Sequence, residues 1–218
     1  NKKNTQEIFD GITSRHVNAY YSTLVKGLTA KVFRTYLASS VVSKYLRDHA
    51  NIKSESNMKK IFHAKMANLD SAIMCNHKRT IPKNFEQSLQ KKKDTLSNVK
   101  KSKPWLKSEE SLKKAESIAQ KTKKQKERVK KIKIQIRNRK AKHAERIEKL
   151  QLQIKLTQKT RDHNLGTSLR NYIDPRIFKT WTDEVAAEWE KLYTSALQKK
   201  FLWVKNDDSK WSEISKQY

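Results

Sequence analysis

The spacing of apolar positions along this chain follows three regimes in turn. From about residue 4 to residue 86 apolar side chains recur at three- and four-residue steps, in Val25, Leu28, Val32 and Tyr36 and again in Ile61, Met66, Leu69 and Ile73, which predicts packed helices. The polar stretch between Arg47 and Asn57 predicts a connecting loop. From about Gln87 to His163 the apolar positions thin to a heptad-like spacing, Val129, Ile132 and Ile136, then Ile147, Leu150 and Ile154, with a sparser series Leu112, Ala115 and Ala119 before them. Lys103-Pro104-Trp105 interrupts that pattern. From Asn164 onward aromatic residues return in number. Trp181, Val185, Trp189 and Leu192 among them predict one helix, whose aromatic face reads as core rather than as a stacking platform for bases.

Composition sharpens this picture. With three Gly and three Pro in 218 residues the chain has few places for tight hairpins, so a mainly α fold is expected: a helical bundle in residues 1–86 and 164–218, interrupted by a basic antiparallel helical pair in residues 87–163. Lys and Arg number 50 against 22 Asp and Glu, a net charge of +28, and the middle segment alone, with 26 basic and 8 acidic residues, carries +18 of it. A surplus of that size calls for a polyanion. Nucleic acid is the default, because each cation placed on a phosphate releases condensed counterions; an acidic membrane surface is the competing sink. No apolar run approaches the roughly 20 residues that span a bilayer and nothing resembles a signal peptide, so a soluble intracellular protein is expected. The middle segment reads equally as a DNA-contacting arm with a packed seam or as a solvated charged arm. The single cysteine, Cys75, excludes an internal disulfide and a cysteine-based zinc cluster. The chain starts at Asn1 rather than methionine, which fits a processed chain or a fragment.

Most familiar catalytic constellations are missing: no phosphate-cradling glycine loop, no HExxH, no GxSxG and no recognisable carboxylate pair. His16, His49, His63, His143 and His163 show no metal-ligand spacing. Lys, Arg, His and Tyr remain, and these suit phosphoryl transfer without a metal, in which a tyrosine oxygen attacks phosphorus while fixed cations hold the charge of the pentacoordinate transition state. Three stretches stand out. The first is Gly27-Leu28-Thr29-Ala30-Lys31-Val32-Phe33-Arg34-Thr35-Tyr36, followed by Ala38-Ser39. The second is Cys75-Asn76-His77-Lys78-Arg79, with Pro82-Lys83-Asn84-Phe85-Glu86 after it. The third is Gly166-Thr167-Ser168-Leu169-Arg170-Asn171-Tyr172-Ile173-Asp174-Pro175-Arg176, where Asp174 and Pro175 predict a chain turn just past the tyrosine.

These stretches, their order and the basic insert between the second and third resemble the carboxy-terminal part of the type IB DNA topoisomerases, which share a catalytic fold with the tyrosine recombinases. The resemblance runs from about Glu7 to the carboxy terminus and is weakest inside the insert and after Asn206. It implies that Arg34 contacts nonbridging oxygens of the scissile phosphate, that His77 donates a hydrogen bond to the same group, and that Tyr172 attacks phosphorus to give a 3′-phosphotyrosine and a free 5′-hydroxyl. The strand then swivels and the hydroxyl reverses the attack, so the implied reaction takes no cofactor, neither ATP nor metal. Lys31, Lys78, Arg79 and Arg176 are expected phosphate contacts by charge and proximity to the motifs, and Asn171 is expected to shape the site beside the nucleophile. The resemblance also implies an arginine and a lysine upstream of Arg34, the lysine serving as general acid; neither is present, and Lys31 is not matched to that acid. The expected partners are therefore double-stranded DNA and an upstream core region, in the same chain or as a separate subunit, and no membrane. The expected compartment is the nucleus, or the nucleoid for an archaeal source. Two other classes stay open: a tyrosine recombinase, against which the insert argues, and a non-enzymatic basic coiled-coil protein that binds nucleic acid, which has no physical reason to carry the ordered motifs on either side of the insert.

Overall fold

The computed structural model describes residues 9–118 and 122–218. Ala119 of the expected seam and the start of the resemblance at Glu7 lie outside them. The described residues are mainly helical, with no strand and an isolated antiparallel bridge between Lys78 and His163. The chain divides into two compact units, residues 81–161 in one and the flanking residues on both sides in the other.

The flanking unit starts with α1 (Ser14–Leu24) and α2 (Ala30–Asp48). The Val25, Leu28, Val32, Tyr36 series does not fall on one helix. Gly27 sits at φ 81°, Val25 is extended, and the chain breaks between the two helices there; glycine holds that left-handed conformation without the penalty a Cβ would bring. α2 packs on α3 (Asn57–Met74), whose start is capped by Ser56 Oγ accepting from Lys59 N at 3.4 Å. Their shared surface is built of small side chains, Ala38, Ser39, Val42 and Ser43 against Ala64, Ala67, Ser71 and Ala72, all buried. Ile73, an expected core position, is instead 52% exposed, because the buried stripe of α3 is the small-residue one.

After the insert come α7 (Leu165–Asn171), α8 (Pro175–Glu184), a 3₁₀ turn at Trp189–Leu192, α9 (Ser195–Lys200), a second 3₁₀ turn at Leu202–Asn206, and α10 (Trp211–Gln217). Asn164 caps α7, its Oδ1 accepting from Gly166 N at 3.0 Å, and Asp174 caps α8 with Pro175 in the first turn. Trp181, Val185 and Trp189 are all buried in a core with Phe178, Ile177, Tyr193, Phe201, Val204 and Ile214, so their aromatic face is core as expected. The single helix expected through Leu192 does not exist. Ala186 takes φ 52°, and Ala187 N donates to Thr182 O at 2.7 Å, the six-to-one bond that closes a helix. The buried ammonium of Lys60 donates to Ala186 O at 3.3 Å and covers that turn.

The insert unit contains α4 (Phe85–Lys101), α5 (Leu106–Ser117) and α6 (Lys123–Lys159). The pair is thus two short helices against one long one. Lys92 reaches Thr157, Ser108 reaches Arg139 and Glu116 reaches Lys133, so position rises along one side as it falls along the other, which is an antiparallel arrangement. Val99, Val129 and Ile136 are buried in the seam, with Ile132 half-buried, and the arm therefore packs rather than lying fully solvated. The corner at residues 102–105 is held by α6: His143 Nε2 lies 2.7 Å from Val99 O and 3.3 Å from Ser102 Oγ, its ring meets Trp105 edge-on, and Arg139 donates to Ser108 Oγ at 2.6 Å.

Candidate active site

The end of α3 delivers His77. Asn76 occupies the left-handed region at φ 55°, His77 N donates to Ala72 O at 2.8 Å, and Asn76 N to Ile73 O at 2.9 Å. Asparagine is the side-chain-bearing residue that tolerates this conformation best, which gives the Cys75-Asn76-His77 order a local cause. Ending the helix also leaves the carbonyl of Cys75 without a helical partner, and Arg34 Nη2 donates to it. One helix end therefore both aims the histidine and anchors the arginine. The other side of His77 is fixed by Asn164, whose N donates to His77 O at 2.8 Å and whose side chain caps α7.

α7 carries the tyrosine at its carboxy end. Tyr172 N donates to Ser168 O at 2.9 Å, and Ile173 anchors the next position in the core. Ser39 of α2, fully buried, pins the same turn: its hydroxyl donates to Tyr172 O at 3.4 Å and accepts from Asp174 N at 3.0 Å. Beyond it Asp174 binds Arg176 through both carboxylate oxygens and accepts from Tyr218 Oη at 2.9 Å.

The three candidate residues meet. His77 Nε2 is 3.5 Å from Arg34 Nη2, the His77 and Tyr172 rings are 5.2 Å apart, and Arg34 Cζ stands 4.9 Å from the Tyr172 ring centre. Lys31, one helical turn before Arg34, places Nζ 5.9 Å from the same ring centre. The phenolic oxygen has no hydrogen-bond partner among the described residues. Burial first, and the Arg34 charge second, lower the His77 pKa below its usual 6.5, which favours the neutral ring.

Of the other candidates, Asn171 is exposed beside Tyr172, and Lys78 and Arg79 are exposed on the segment leaving His77. Arg176 is not brought into the cluster by any hydrogen bond: Asp174 holds its guanidinium, raising its pKa, with the closest contact 2.6 Å. Two residues that single-position reasoning passed over are Ser168 and Ser39. Both lie inside the motif stretches, and only their burial and partners distinguish them from solvent-facing serines. No group of three or more His, Cys, Asp or Glu able to hold a metal occurs among the described residues.

An arginine, a histidine and an unpartnered phenol gathered within these distances, with Lys31 close by, form an arrangement chemically able to bind an oxyanion beside a hydroxyl group. Comparison with known proteins gives the family. Residues 1–110 match the family model described as eukaryotic DNA topoisomerase I, catalytic core, and residues 144–213 match the C-terminal topoisomerase domain. The chain belongs to the family of eukaryotic DNA topoisomerase I, of type IB, and corresponds to its carboxy-terminal part. It is 35% identical over 213 residues to DNA topoisomerase 1 of Rattus norvegicus, covering 94% of this chain and 26% of that protein. It is 33% identical over 207 residues both to DNA topoisomerase 1 of Caenorhabditis elegans, with 93% and 23% covered, and to the mitochondrial DNA topoisomerase I of Homo sapiens, with 94% and 33%. The chain thus spans between about a quarter and a third of the length of these relatives. They are eukaryotic, and the archaeal alternative has no support. No described helix is long and apolar enough to cross a membrane.

Proposed function

We propose that this chain is the tyrosine-bearing part of an enzyme that relaxes supercoiled double-stranded DNA by transient single-strand cleavage. The observation that carries the proposal is the convergence of Arg34, His77 and Tyr172, from three separate segments, into one cluster. Tyr172 attacks the scissile phosphorus, its phenolic proton passing to water, and forms a 3′-phosphotyrosine while the 5′-oxygen leaves. Arg34 and His77 donate to the nonbridging oxygens as charge builds on them, and the reverse attack by the 5′-hydroxyl restores the strand. The phosphodiester energy is kept in the covalent link, so the cycle takes no ATP, and this donor set calls for no metal.

Cleavage also needs a proton for the leaving 5′-oxygen. Lys31 Nζ lies 5.9 Å from the Tyr172 ring centre, and the resemblance does not match it to the general acid. The general acid is supplied by an upstream core region together with a second arginine. In support of such a region, Tyr20, Leu24, Val25, Val32, Phe33, Tyr36 and Leu37, on or between α1 and α2, are each about half exposed or more, and α1 buries no residue. Exposed apolar side chains gathered on two neighbouring helices fit an interaction surface. The nucleus is the compartment this reading takes, one of the relatives above being a mitochondrial enzyme.

The test is a suicide-cleavage assay on a nicked duplex labelled on the scissile strand, with the upstream core supplied. Wild type forms a covalent band that resists boiling in detergent, and Tyr172→Phe forms none. Absence of the band from the wild type would leave a basic DNA-binding protein without catalysis.

A further inference from the structure

The buried serine between the histidine and the tyrosine does more than fill space. Ser168 is fully buried, and its Oγ lies 2.6 Å from His77 Nδ1. Its carbonyl accepts from Tyr172 N at 2.9 Å and from Ile173 N at 3.2 Å. The hydroxyl has no other partner among the described residues. If Nδ1 carried the ring proton, the serine O–H would be a buried donor with nothing to accept it, an unfavourable arrangement. The hydroxyl proton is accommodated when it is donated to Nδ1, and the proton of the neutral ring then sits on Nε2.

That assignment changes the meaning of the 3.5 Å separation between Nε2 and Arg34 Nη2. A guanidinium has donors only, so with Nε2 protonated this contact is donor against donor while Arg34 Nη2 keeps the Cys75 carbonyl as its acceptor; a nonbridging oxygen of a phosphodiester entering there accepts from both.

We infer that Ser168 is a positioning residue, whose hydroxyl fixes the His77 tautomer that offers Nε2–H to the phosphate and whose carbonyl holds the Tyr172 backbone in the same frame. The inference rests on the proposed cleavage reaction for its purpose, but not for its ring chemistry. The groups that face the ring are Arg34 from α2, Tyr172 and Ser168 from the α7 segment, and, along its own segment, the exposed Lys78 and Arg79. None of these is a carboxylate that would draw the ring proton to one nitrogen, and the Tyr172 phenol makes no hydrogen bond to the ring. An O–H donor at Nδ1 also opposes ring protonation, in the same direction as the burial and the Arg34 charge.

Ring nitrogen spectra of the full chain, labelled at histidine, read this directly. At pH 7 wild-type His77 shows a protonated Nε2 and an unprotonated Nδ1. In Ser168→Ala the two tautomers mix and the His77 titration midpoint rises towards 6.5, while the thermal melt keeps its cooperativity. Covalent-complex formation with the upstream core supplied falls about tenfold or more in that variant, whereas Ser168→Thr, which keeps the hydroxyl, recovers it. A wild-type ring protonated at Nδ1, or an alanine variant with unchanged tautomer and midpoint, would overturn the inference whether or not the chain cleaves DNA. If the ring behaves as stated and no Tyr172-dependent complex forms with any variant, it is the cleavage reaction that fails.

Discussion

Single residues at helix ends decide where the chemistry goes. Asn76 is required less for its amide than for its φ of 55°, since the turn it makes releases both His77 and the Cys75 carbonyl that Arg34 uses. Asn76→Gly should therefore leave folding and covalent-complex formation near wild type. Asn76→Val should lose about 1–2 kcal/mol in denaturant unfolding, with a larger loss of cleavage, because a β-branched residue resists the left-handed region; equal behaviour of the two variants would refute this role. His77 has its own pH signature. Its folded pKa lies below the unfolded 6.5, so protonation is harder in the folded protein. The associated stability is present above pH 6.5 and is lost as the pH falls through the folded value. Unfolding midpoints measured from about pH 7.5 to 5 should show a decline that His77→Gln removes in part. At this scale the sequence was legible by motif: Arg34, His77 and Tyr172 do come together. Ser168 was not, because a serine's spelling carries no sign of whether its hydroxyl faces a histidine or water.

Elements are where periodicity both worked and failed. The run Trp181, Val185, Trp189, Leu192 marks buried positions and yet crosses a helix end, since a 3₁₀ turn after a left-handed residue can return side chains to the same core. Alanine at φ 52° leaves no local mark in the sequence, unlike the glycine at the α1–α2 break. Replacing Ala186 by glycine should stabilise the chain by up to about 1 kcal/mol in chemical denaturation, because glycine takes that conformation without a Cβ penalty. A loss of stability would mean that the Cβ packs favourably there. The insert was readable as antiparallel from its heptad spacing and from the break at Lys103-Pro104-Trp105. The corner's fastening by Arg139 and His143 was not, because partners so far apart along the chain share no local periodicity. Its ion pairs, Glu109 with Lys140 and Glu116 with Lys133, lie at the surface and contribute about 1 kcal/mol each at most. The buried seam of Val99, Val129 and Ile136 accounts for more of the unit's cohesion.

Taken whole, the molecule combines a site made from three distant segments with a charge of +28, of which the insert holds the larger share. Affinity for DNA on this account is dominated by the phosphate backbone and is insensitive to sequence. Lys126, Lys130 and Arg137 line one shallow groove along α6. Replacing all three by glutamine should lower the slope of log K against log salt by up to about three, roughly one for each phosphate that is no longer neutralised, with little change in sequence preference. An unchanged slope would show that this face of the arm is merely solvated.

The most direct test of the central claim is to locate the covalent bond. Complexes trapped on a suicide substrate with the upstream core supplied would be digested with protease and nuclease, and the modified peptide identified by mass spectrometry. A nucleotide joined through its 3′-phosphate to the peptide at Tyr172 is the predicted result. Attachment to any other residue, or through a 5′-phosphate, would contradict the account even if DNA were cleaved.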